Sequence, residues 1–223
     1  MSTTHAAAIG WSATANAFSA GQAAARLALQ RLPSRRAECA IVFGSSWFAQ
    51  PQLLAGVRSV FETTPVVGGS TAGEIMPDGP KSHSCVVLAF ADEDLAVSVG
   101  IGTEVEHNPR LAGYHLAQQA LRHFTGRTRS GVVLFGDGLL TGYAEVLRGI
   151  QELFGTSSLV TGGLMGDDLQ FTRTYQYGNR EVLSQSVVGL LLGGACTIGV
   201  GLEHGFAPIS KPRRITRARA NVL

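Results

Sequence analysis

The chain has 223 residues and a mass of 23.4 kDa, with 45% hydrophobic and 15% charged residues. A mean hydropathy of +0.17 excludes a disordered chain, and the 28 glycines follow no Gly-X-Y period, which excludes collagen. Five of the eighteen Lys and Arg residues lie after residue 210, where no acid occurs, so the rest of the chain is slightly acidic. This charge distribution predicts neither a nucleic-acid partner nor insertion into a membrane.

The N-terminal region and the cysteines indicate a cellular compartment. No Lys or Arg precedes the short N-terminal apolar stretch, which is unlike a secretory signal peptide. Cys39, Cys85 and Cys196 lie inside or at the edge of apolar runs, which favours buried thiols over a disulfide or a zinc site. We therefore expect a cytoplasmic protein.

The first hundred residues predict alternating strands and helices, followed by strands alone. The helices are expected from Asn16 to Leu32, whose small and apolar residues share one side, and from Leu53 to Phe61. The charged segment 91–94 predicts a hairpin turn between two late strands. The strands are expected at 7–13, 40–43, 66–67, 85–90 and 99–102.

The same order of patterns returns at an offset of about ninety to one hundred residues, which indicates an internal repeat. The second repeat predicts helices from Pro109 to Phe124 and from Glu145 to Leu153, and strands at 132–135, 159–161, 186–191 and 198–201. The segment 184–202 carries no charge, but Gly193-Gly194 interrupts it. Because its counterpart contains a charged turn, we expect a hairpin there and not a membrane span.

These patterns predict an α/β fold of two pseudo-symmetric repeats. Each repeat is expected to contain strand, helix, strand, helix and a three-strand meander, over about 7–103 and 98–203, so that one strand serves both repeats. The uninterrupted apolar runs 40–43 and 132–135 are typical of central strands covered on both faces. We expect mixed sheets with helices outside, packed sheet on sheet or joined in one long sheet.

Four glycine-rich loops are expected at the carboxyl ends of parallel strands, where open α/β sheets bind ligands. Glycine lets backbone N–H groups approach a ligand, hydroxyl groups suit an anion, and carboxylates suit an ammonium group. Tight turns and helix caps are an equally good explanation of the same residues. The candidate ligand-binding residues are Ser45, Ser46, Gly69, Ser70, Thr71, Gly73, Glu74, Gly136, Asp137, Gly138, Gly163, Gly166, Asp167 and Asp168.

The two repeats differ in the chemistry of these loops. Hydroxyl groups such as Ser70 and Thr71 occupy the first repeat, whereas carboxylates occupy the second at Asp137, Asp167 and Asp168. This asymmetry predicts that the first set receives an anionic group and the second a cationic group of one zwitterionic ligand.

Motifs for catalysis and for metals are missing from the sequence. It contains no G-x-S-x-G, no G-x-x-x-x-G-K-[ST] and no H-E-x-x-H, so we expect no enzyme; a hydrolase would rest on scattered Ser, Asp and His residues. Asp167-Asp168 lacks the dense spacing of a calcium loop, and we expect no metal site. His204 has a glycine-rich setting that could approach a cofactor.

The loop motifs resemble the N-terminal part of the FIST family, the F-box and intracellular signal transduction sensory domain. The resemblance covers most of the chain from about residue 37. Its most specific piece is Gly68-Gly-Ser-Thr-Ala-Gly-Glu74, and the others are Phe43-Gly-Ser-Ser46, Leu134-Phe-Gly-Asp-Gly138, Gly162-Gly-Leu-Met-Gly-Asp-Asp168 and Gly199-Val-Gly-Leu-Glu-His-Gly205.

The resemblance implies a sensory domain over residues 1–206 that binds a small molecule, with an amino acid as the expected ligand. It implies a signalling partner such as a histidine kinase, a cyclic-dinucleotide enzyme or a chemoreceptor. The basic residues 207–223 then form a passage into a C-terminal companion domain that this chain does not contain. No cofactor is expected; the alternative within the family is a haem-based nitric-oxide sensor, for which His204 is the candidate ligand.

Overall fold

The computed structural model describes residues 6–76 and 78–217, which form two main sheets and four helices. The helices are α1 (Ala17–Arg31), α2 (Gln50–Arg58), α3 (Pro109–His123) and α4 (Tyr143–Phe154). The strands up to residue 91 are β1 (Ala6–Ser12), β2 (Cys39–Ser45), β3 (Val66–Thr71), β4 (Glu74–Met76), β5 (Gly79–Lys81) and β6 (Cys85–Ala91). The later strands are β7 (Leu95–Gly102), β8 (Arg129–Asp137), β9 (Val160–Met165), β10 (Gln176–Gly178), β11 (Glu181–Leu183) and β12 (Val187–Gly194).

The two sheets repeat one pattern of strand pairing. The six-stranded sheet has the order β1-β6-β2-β3-β10-β11, and the four-stranded sheet has the order β7-β12-β8-β9. In both sheets the third strand is antiparallel to the second and parallel to the fourth. We call residues 6–91 the first half and residues 95–194 the second half. The expected fold class, with mixed sheets and helices outside, is confirmed.

Three apolar layers hold the sheets and helices together. One lies between α1, α2 and the six-stranded sheet, and a second lies between α3, α4 and the four-stranded sheet. The third lies between the two sheets and includes Ile41, Val67, Phe135, Met165 and Leu190. The sheets therefore pack face to face, which is one of the two arrangements that the sequence left open.

The helices begin at signals that the sequence carries. The Asn16 and Asn108 side chains accept the backbone N–H groups of Ser19 and Leu111, 2.9 and 3.1 Å away, and so cap α1 and α3. Pro51 lies in the first turn of α2, so that helix begins earlier than the expected residue 53.

Glycines bring paired helices into backbone contact. A Cβ atom on Gly56 of α2 would lie 2.0 Å from the Phe18 carbonyl oxygen of α1, and one on Gly149 of α4 would lie 1.9 Å from the Arg110 carbonyl oxygen of α3. Gly21 and Gly113 make the reciprocal contacts, 2.2 Å from Leu53 O and 2.0 Å from Val146 O. The helical cost of these glycines is therefore offset by close packing.

Three details of the expected topology are wrong. Residues 91–94 do not close a hairpin, because β6 is already flanked by β1 and β2, and β7 pairs with β12 in the other sheet. Residues 198–201 form no strand: β12 ends at Gly194, whose φ of 87° breaks the ladder, and residues 199–217 are exposed. No three-strand meander forms, since the β4–β5 hairpin lies between β3 and β6 and the β10–β11 hairpin between β9 and β12.

The boundaries of the expected domain and of the basic passage stay predictions, and residues 218–223 lie outside the described residues.

No helix within residues 6–76 and 78–217 combines the length and the apolar character that crossing a bilayer requires.

We predict that Gly149→Ala destabilises the protein by about 1–3 kcal/mol, because the added methyl group overlaps the α3 backbone, which cannot move aside as a flexible side chain would. Alanine normally favours a helix by roughly 1 kcal/mol over glycine, so the sign itself is diagnostic. Urea unfolding measures the change, with Gln118→Ala on the exposed face of α3 as the control. An unchanged or raised midpoint in Gly149→Ala would contradict the close contact.

Candidate functional site

A cleft opens between the two sheets where β3 and β9 end. Its volume is about 510 Å³, and among its lining residues the Phe43 and Phe135 rings pack against each other with their centroids 6.0 Å apart. We call it the inter-sheet cleft, and its other lining residues are Ile41, Ser70, Thr71, Ala72, Val133, Gly162, Gly163, Leu164, Met165 and Gly166. This lining suits an apolar group that enters beside a few polar atoms.

A second cavity of about 430 Å³ continues between the sheets and shares Ile41 and Val133 with the cleft. Cys39 lies on its wall. Burial, assisted by the nearby Glu38 carboxylate, raises the pKa of the Cys39 thiol to about 12. The thiol therefore stays protonated and contributes an apolar surface, as the sequence predicts for this residue.

The loops that follow β3 and β9 are hydrogen-bonded to each other. The Gly166 N–H donates to the Ser70 carbonyl oxygen over 3.0 Å, and the Asp168 N–H donates to the Thr71 carbonyl oxygen over 3.0 Å. The Ser70 hydroxyl also donates to the Gly166 carbonyl oxygen over 2.6 Å. Residues from the two halves that the sequence singled out therefore meet at one rim of the cleft.

Asp168 is the carboxylate at this rim. One of its oxygens accepts the hydroxyl groups of Ser45 and Ser46, 2.8 and 2.6 Å away, and its side chain is only partly buried. Its φ of 53° lies in the left-handed region, which aspartate tolerates better than most residues. The second carboxylate oxygen has no hydrogen-bond donor among the described residues, so Asp168 retains capacity to bind a cationic group.

Ser70 and Asp137 already have partners within the protein. Besides its bond to Gly166, the fully buried Ser70 hydroxyl accepts the Tyr175 N–H over 2.8 Å. The buried Asp137 carboxylate accepts the N–H groups of Leu139 and Gln185, each 2.9 Å away. These side chains hold loops in place, which corresponds to the turn-and-cap alternative.

Asp167 organises the loop that follows it. Its buried carboxylate accepts the backbone N–H groups of Phe171, Thr172 and Arg173, at 2.9, 2.6 and 3.0 Å. Burial acts to raise the pKa of Asp167, but these N–H groups together hold it below its ordinary value. The carboxylate is thus a structural anion and is not aimed at a ligand.

Thr71 and Glu74 form a second polar group beside the cleft. The Thr71 and Ser84 hydroxyl groups both donate to the buried Glu74 carboxylate. Gly73 between them has a φ of 128°, a conformation that glycine readily adopts. The Thr71 hydroxyl is therefore engaged internally, whereas the Ala72 N–H on the cleft wall has no partner among the described residues.

Most of the candidate glycines allow close packing. A Cβ atom on Gly69 or Gly138 would lie 2.3 Å from the Tyr175 carbonyl oxygen or 2.2 Å from the Met165 carbonyl oxygen. A Cβ atom on Gly136 would meet the Tyr143 ring, and one on Gly166 would lie 2.9 Å from the Ala72 nitrogen. Gly163 differs from all of these, because a Cβ atom there would meet nothing within 4 Å.

The apolar part of the cleft lining was not among the residues that the sequence indicated. Phe43, Phe135, Ile41 and Val133 belong to the runs that predicted strands covered on both faces. An uninterrupted apolar run carries no signal that one face borders a cavity. Only the packing of the two sheets distinguishes these side chains from ordinary core residues.

His204 is not placed to hold a haem. It is exposed in the extended segment after β12, and its Nδ1 accepts the Phe206 N–H over 3.0 Å. Nothing in the described part of the chain surrounds His204 with a pocket, so these residues do not fit the group. Within that part, no cluster of three or more His, Cys, Asp or Glu residues could hold a metal ion.

A family model described as the FIST N domain matches residues 38–223. The chain belongs to this family. The resemblance noted in the loop motifs is therefore confirmed, and the FIST domain is a sensory domain of signal-transduction proteins.

Comparisons with other proteins add little to the FIST N domain assignment. No curated protein matches the chain. A solved structure of a cyanuric acid hydrolase from A. caulinodans is 14% identical, with 88% of this chain and 69% of that chain covered and a TM-score of 0.40. A likeness at this level supports no conclusion about the activity of the FIST N domain.

We predict that Asp167→Asn destabilises the protein by about 1–3 kcal/mol near neutral pH, because three backbone N–H groups lose a charged acceptor. The pKa of Asp167 is lower in the folded state than in the unfolded state. Its stabilisation is therefore complete above the ordinary aspartate pKa of about 3.9 and is lost as the pH falls through the folded value.

Urea unfolding at neutral and acidic pH measures this difference. The gap between wild type and Asp167→Asn should shrink in acid, and Glu93→Gln, at an exposed position, should show no such gap. A gap that is the same at both pH values would contradict the role of the charge.

Proposed function

We propose that this FIST N domain binds an amino acid with an apolar side chain in the inter-sheet cleft. The observation that carries the proposal is the position of the cleft: its walls are apolar, and its rim joins the loops of both halves. The apolar side chain of the ligand would lie against the packed rings of Phe43 and Phe135. The ligand's ammonium group would bind the Asp168 carboxylate.

The carboxylate of the ligand needs a donor near Asp168. The Ser70 and Thr71 hydroxyl groups, which the sequence suggested for this purpose, donate to Gly166 and Glu74 instead. The Ala72 N–H follows Thr71 directly, and the Thr71 carbonyl oxygen lies 3.0 Å from the Asp168 nitrogen. We therefore assign the anionic end of the ligand to the Ala72 N–H.

The wider role follows from the family. A sensory domain reports occupancy to a partner, and the partner classes that fit are a histidine kinase, a cyclic-dinucleotide enzyme or a chemoreceptor, reached directly or through a companion domain, in the cytoplasm. We propose binding and no catalysis, because the polar groups at the rim include no nucleophile paired with a histidine base.

Calorimetric titration with leucine, phenylalanine, aspartate and lysine tests the proposal. We expect heat and a raised melting temperature with the first two, since a ligand at a hundred times its dissociation constant adds about 2.7 kcal/mol of stability. Aspartate and lysine should give neither, because a charged side chain would lose its hydration against the phenylalanine rings. Equal binding of all four, or of none, would contradict the proposed cleft.

We predict that Gly163→Val weakens binding of the apolar amino acid at least about tenfold without lowering the melting temperature. The added side chain has open space, its backbone is outside the left-handed region, and Gly163 pairs with Phe135 on the cleft wall. Gly199→Val is the matched control, because a Cβ atom there also meets nothing within 4 Å but lies outside the cleft. Equal affinities for the two variants would place the ligand elsewhere.

We predict that Asp168→Asn lowers the affinity for phenylalanine roughly ten- to a hundredfold, as expected for a lost charge-assisted contact. The same variant should bind 3-phenylpropionate, which lacks the ammonium group, as well as the wild type does. Calorimetry with both compounds separates the two effects. A similar loss for both compounds would show that the substitution disturbs the rim and not a contact with the ammonium group.

A further inference from the structure

The β10–β11 hairpin of the second half covers the edge of the first sheet. β10 pairs antiparallel with β3, and Tyr177 lies opposite Gly68. The Tyr177 side chain is fully buried in the apolar layer under α2, where its hydroxyl donates to Gln50 Oε1. This hairpin leaves Leu54 of α2 only 2% exposed.

The corresponding edge of the second sheet is open in the described part of the chain. Gly162 lies opposite Leu134 as Gly68 lies opposite Val42, and the φ values of the two glycines are 145° and 137°. β9 nevertheless ends its sheet, with no strand on its outer side.

A groove of about 340 Å³ lies where a hairpin would cover this edge, between β9 and α4. Leu147 on its wall occupies the position of Leu54, two residues before the glycine of the helix contact, yet it is 37% exposed. Leu164 on the same wall is 52% exposed. The groove therefore leaves apolar side chains in water that the first half buries.

The first half contains a hairpin of the same construction that extends no other sheet among the described residues. β4 and β5 pair only with each other, with Ile75 opposite Pro80 as Tyr177 is opposite Val182. One face of β4 packs on the first half, since Glu74 and Met76 are buried, but Ile75 on the other face is 91% exposed, whereas Tyr177 is fully buried. An aliphatic side chain exposed to this extent indicates a surface that is covered elsewhere.

The side chains of the β4–β5 hairpin and of the groove beside β9 complement each other in size. Gln50 and Tyr143 occupy the same position, six residues before the contact glycine, and both donate to a carbonyl oxygen at a strand end, at Ser45 over 3.0 Å and at Asp137 over 2.8 Å. At the first sheet the β10–β11 hairpin supplies the Tyr177 ring, and α2 supplies the shorter Gln50 side chain. At the second sheet α4 already supplies the Tyr143 ring, which leaves room for an aliphatic side chain such as Ile75.

We propose that the open edge of β9 binds the β4–β5 hairpin of a second copy of this chain. β4 of the partner would add to β9 as an antiparallel strand, with Ile75 opposite Gly162 and inside the groove beside Leu147 and Tyr143. The backbone hydrogen bonds supply affinity, and the buried side chain fixes the register. Among its described residues each chain offers one uncovered hairpin and one open groove, so a two-fold dimer would make the contact twice and would leave neither surface free.

Light scattering coupled to size-exclusion chromatography, across a dilution series of the purified chain, tests the proposal. We expect a dimer that dissociates on dilution. Ile75→Lys on the hairpin and Leu147→Lys in the groove should each raise the dissociation constant at least about tenfold, since a charge would enter an apolar contact. Ile209→Lys is the matched control, because Ile209 is fully exposed and far along the chain from both surfaces. Circular dichroism confirms that each variant is folded.

The outcomes separate the alternatives. A wild-type chain that stays monomeric at every concentration overturns the proposal and leaves the β9 edge to a hairpin of another polypeptide. A dimer that survives both Ile75→Lys and Leu147→Lys, or that only one of them weakens, overturns it as well, because the hairpin and the groove must act together. No amino acid is present in these measurements, so the oligomeric state that they give does not depend on the proposed ligand.

Discussion

The hydrogen bonds between the loop after β3 and the loop after β9 fix how the two sheets meet. They connect backbone to backbone at Ser70 with Gly166 and at Thr71 with Asp168, so no change of side chain alone removes them. Because the sheets are tied at this end, their apolar inner faces can diverge elsewhere without separating. The cleft beside Phe43 and Phe135, the polar rim and the position of Asp168 all depend on this connection.

Polar groups near the rim divide into two kinds. The Ser70, Asp137 and Asp167 side chains use their hydrogen-bonding capacity on neighbouring loops, and each stabilises a loop by pairing a backbone N–H group. Asp168 and the Ala72 N–H keep capacity to bind a ligand. Aspartate occurs in both kinds, so composition alone does not separate them.

The sequence predicted what local patterns determine. The helices α1 and α3 appear close to their expected limits because Asn16 and Pro109 mark their beginnings, whereas α2 begins three residues before the expected Leu53; the repeated order of motifs predicted matching halves. It did not predict which strands pair across long distances: β10 crosses to the first sheet at Gly68, and β7 leaves β6 for β12. Some of the glycine, hydroxyl and carboxylate residues that the sequence singled out meet at the rim of the cleft, whereas its aromatic lining depends on sheet packing that no local pattern encodes.

The glycine contacts between paired helices have a mechanical consequence. Where Gly56 contacts the α1 backbone and Gly149 contacts the α3 backbone, no side chains separate the two helices. Each helix pair is therefore rigid and packs on its own sheet, because sliding one helix along the other would force their backbone atoms to overlap. The layer between the two sheets is the most deformable part of the molecule. A ligand bound in that layer would therefore move each sheet with its helix pair as a rigid body, and the movement would reach the outer surface of the helices.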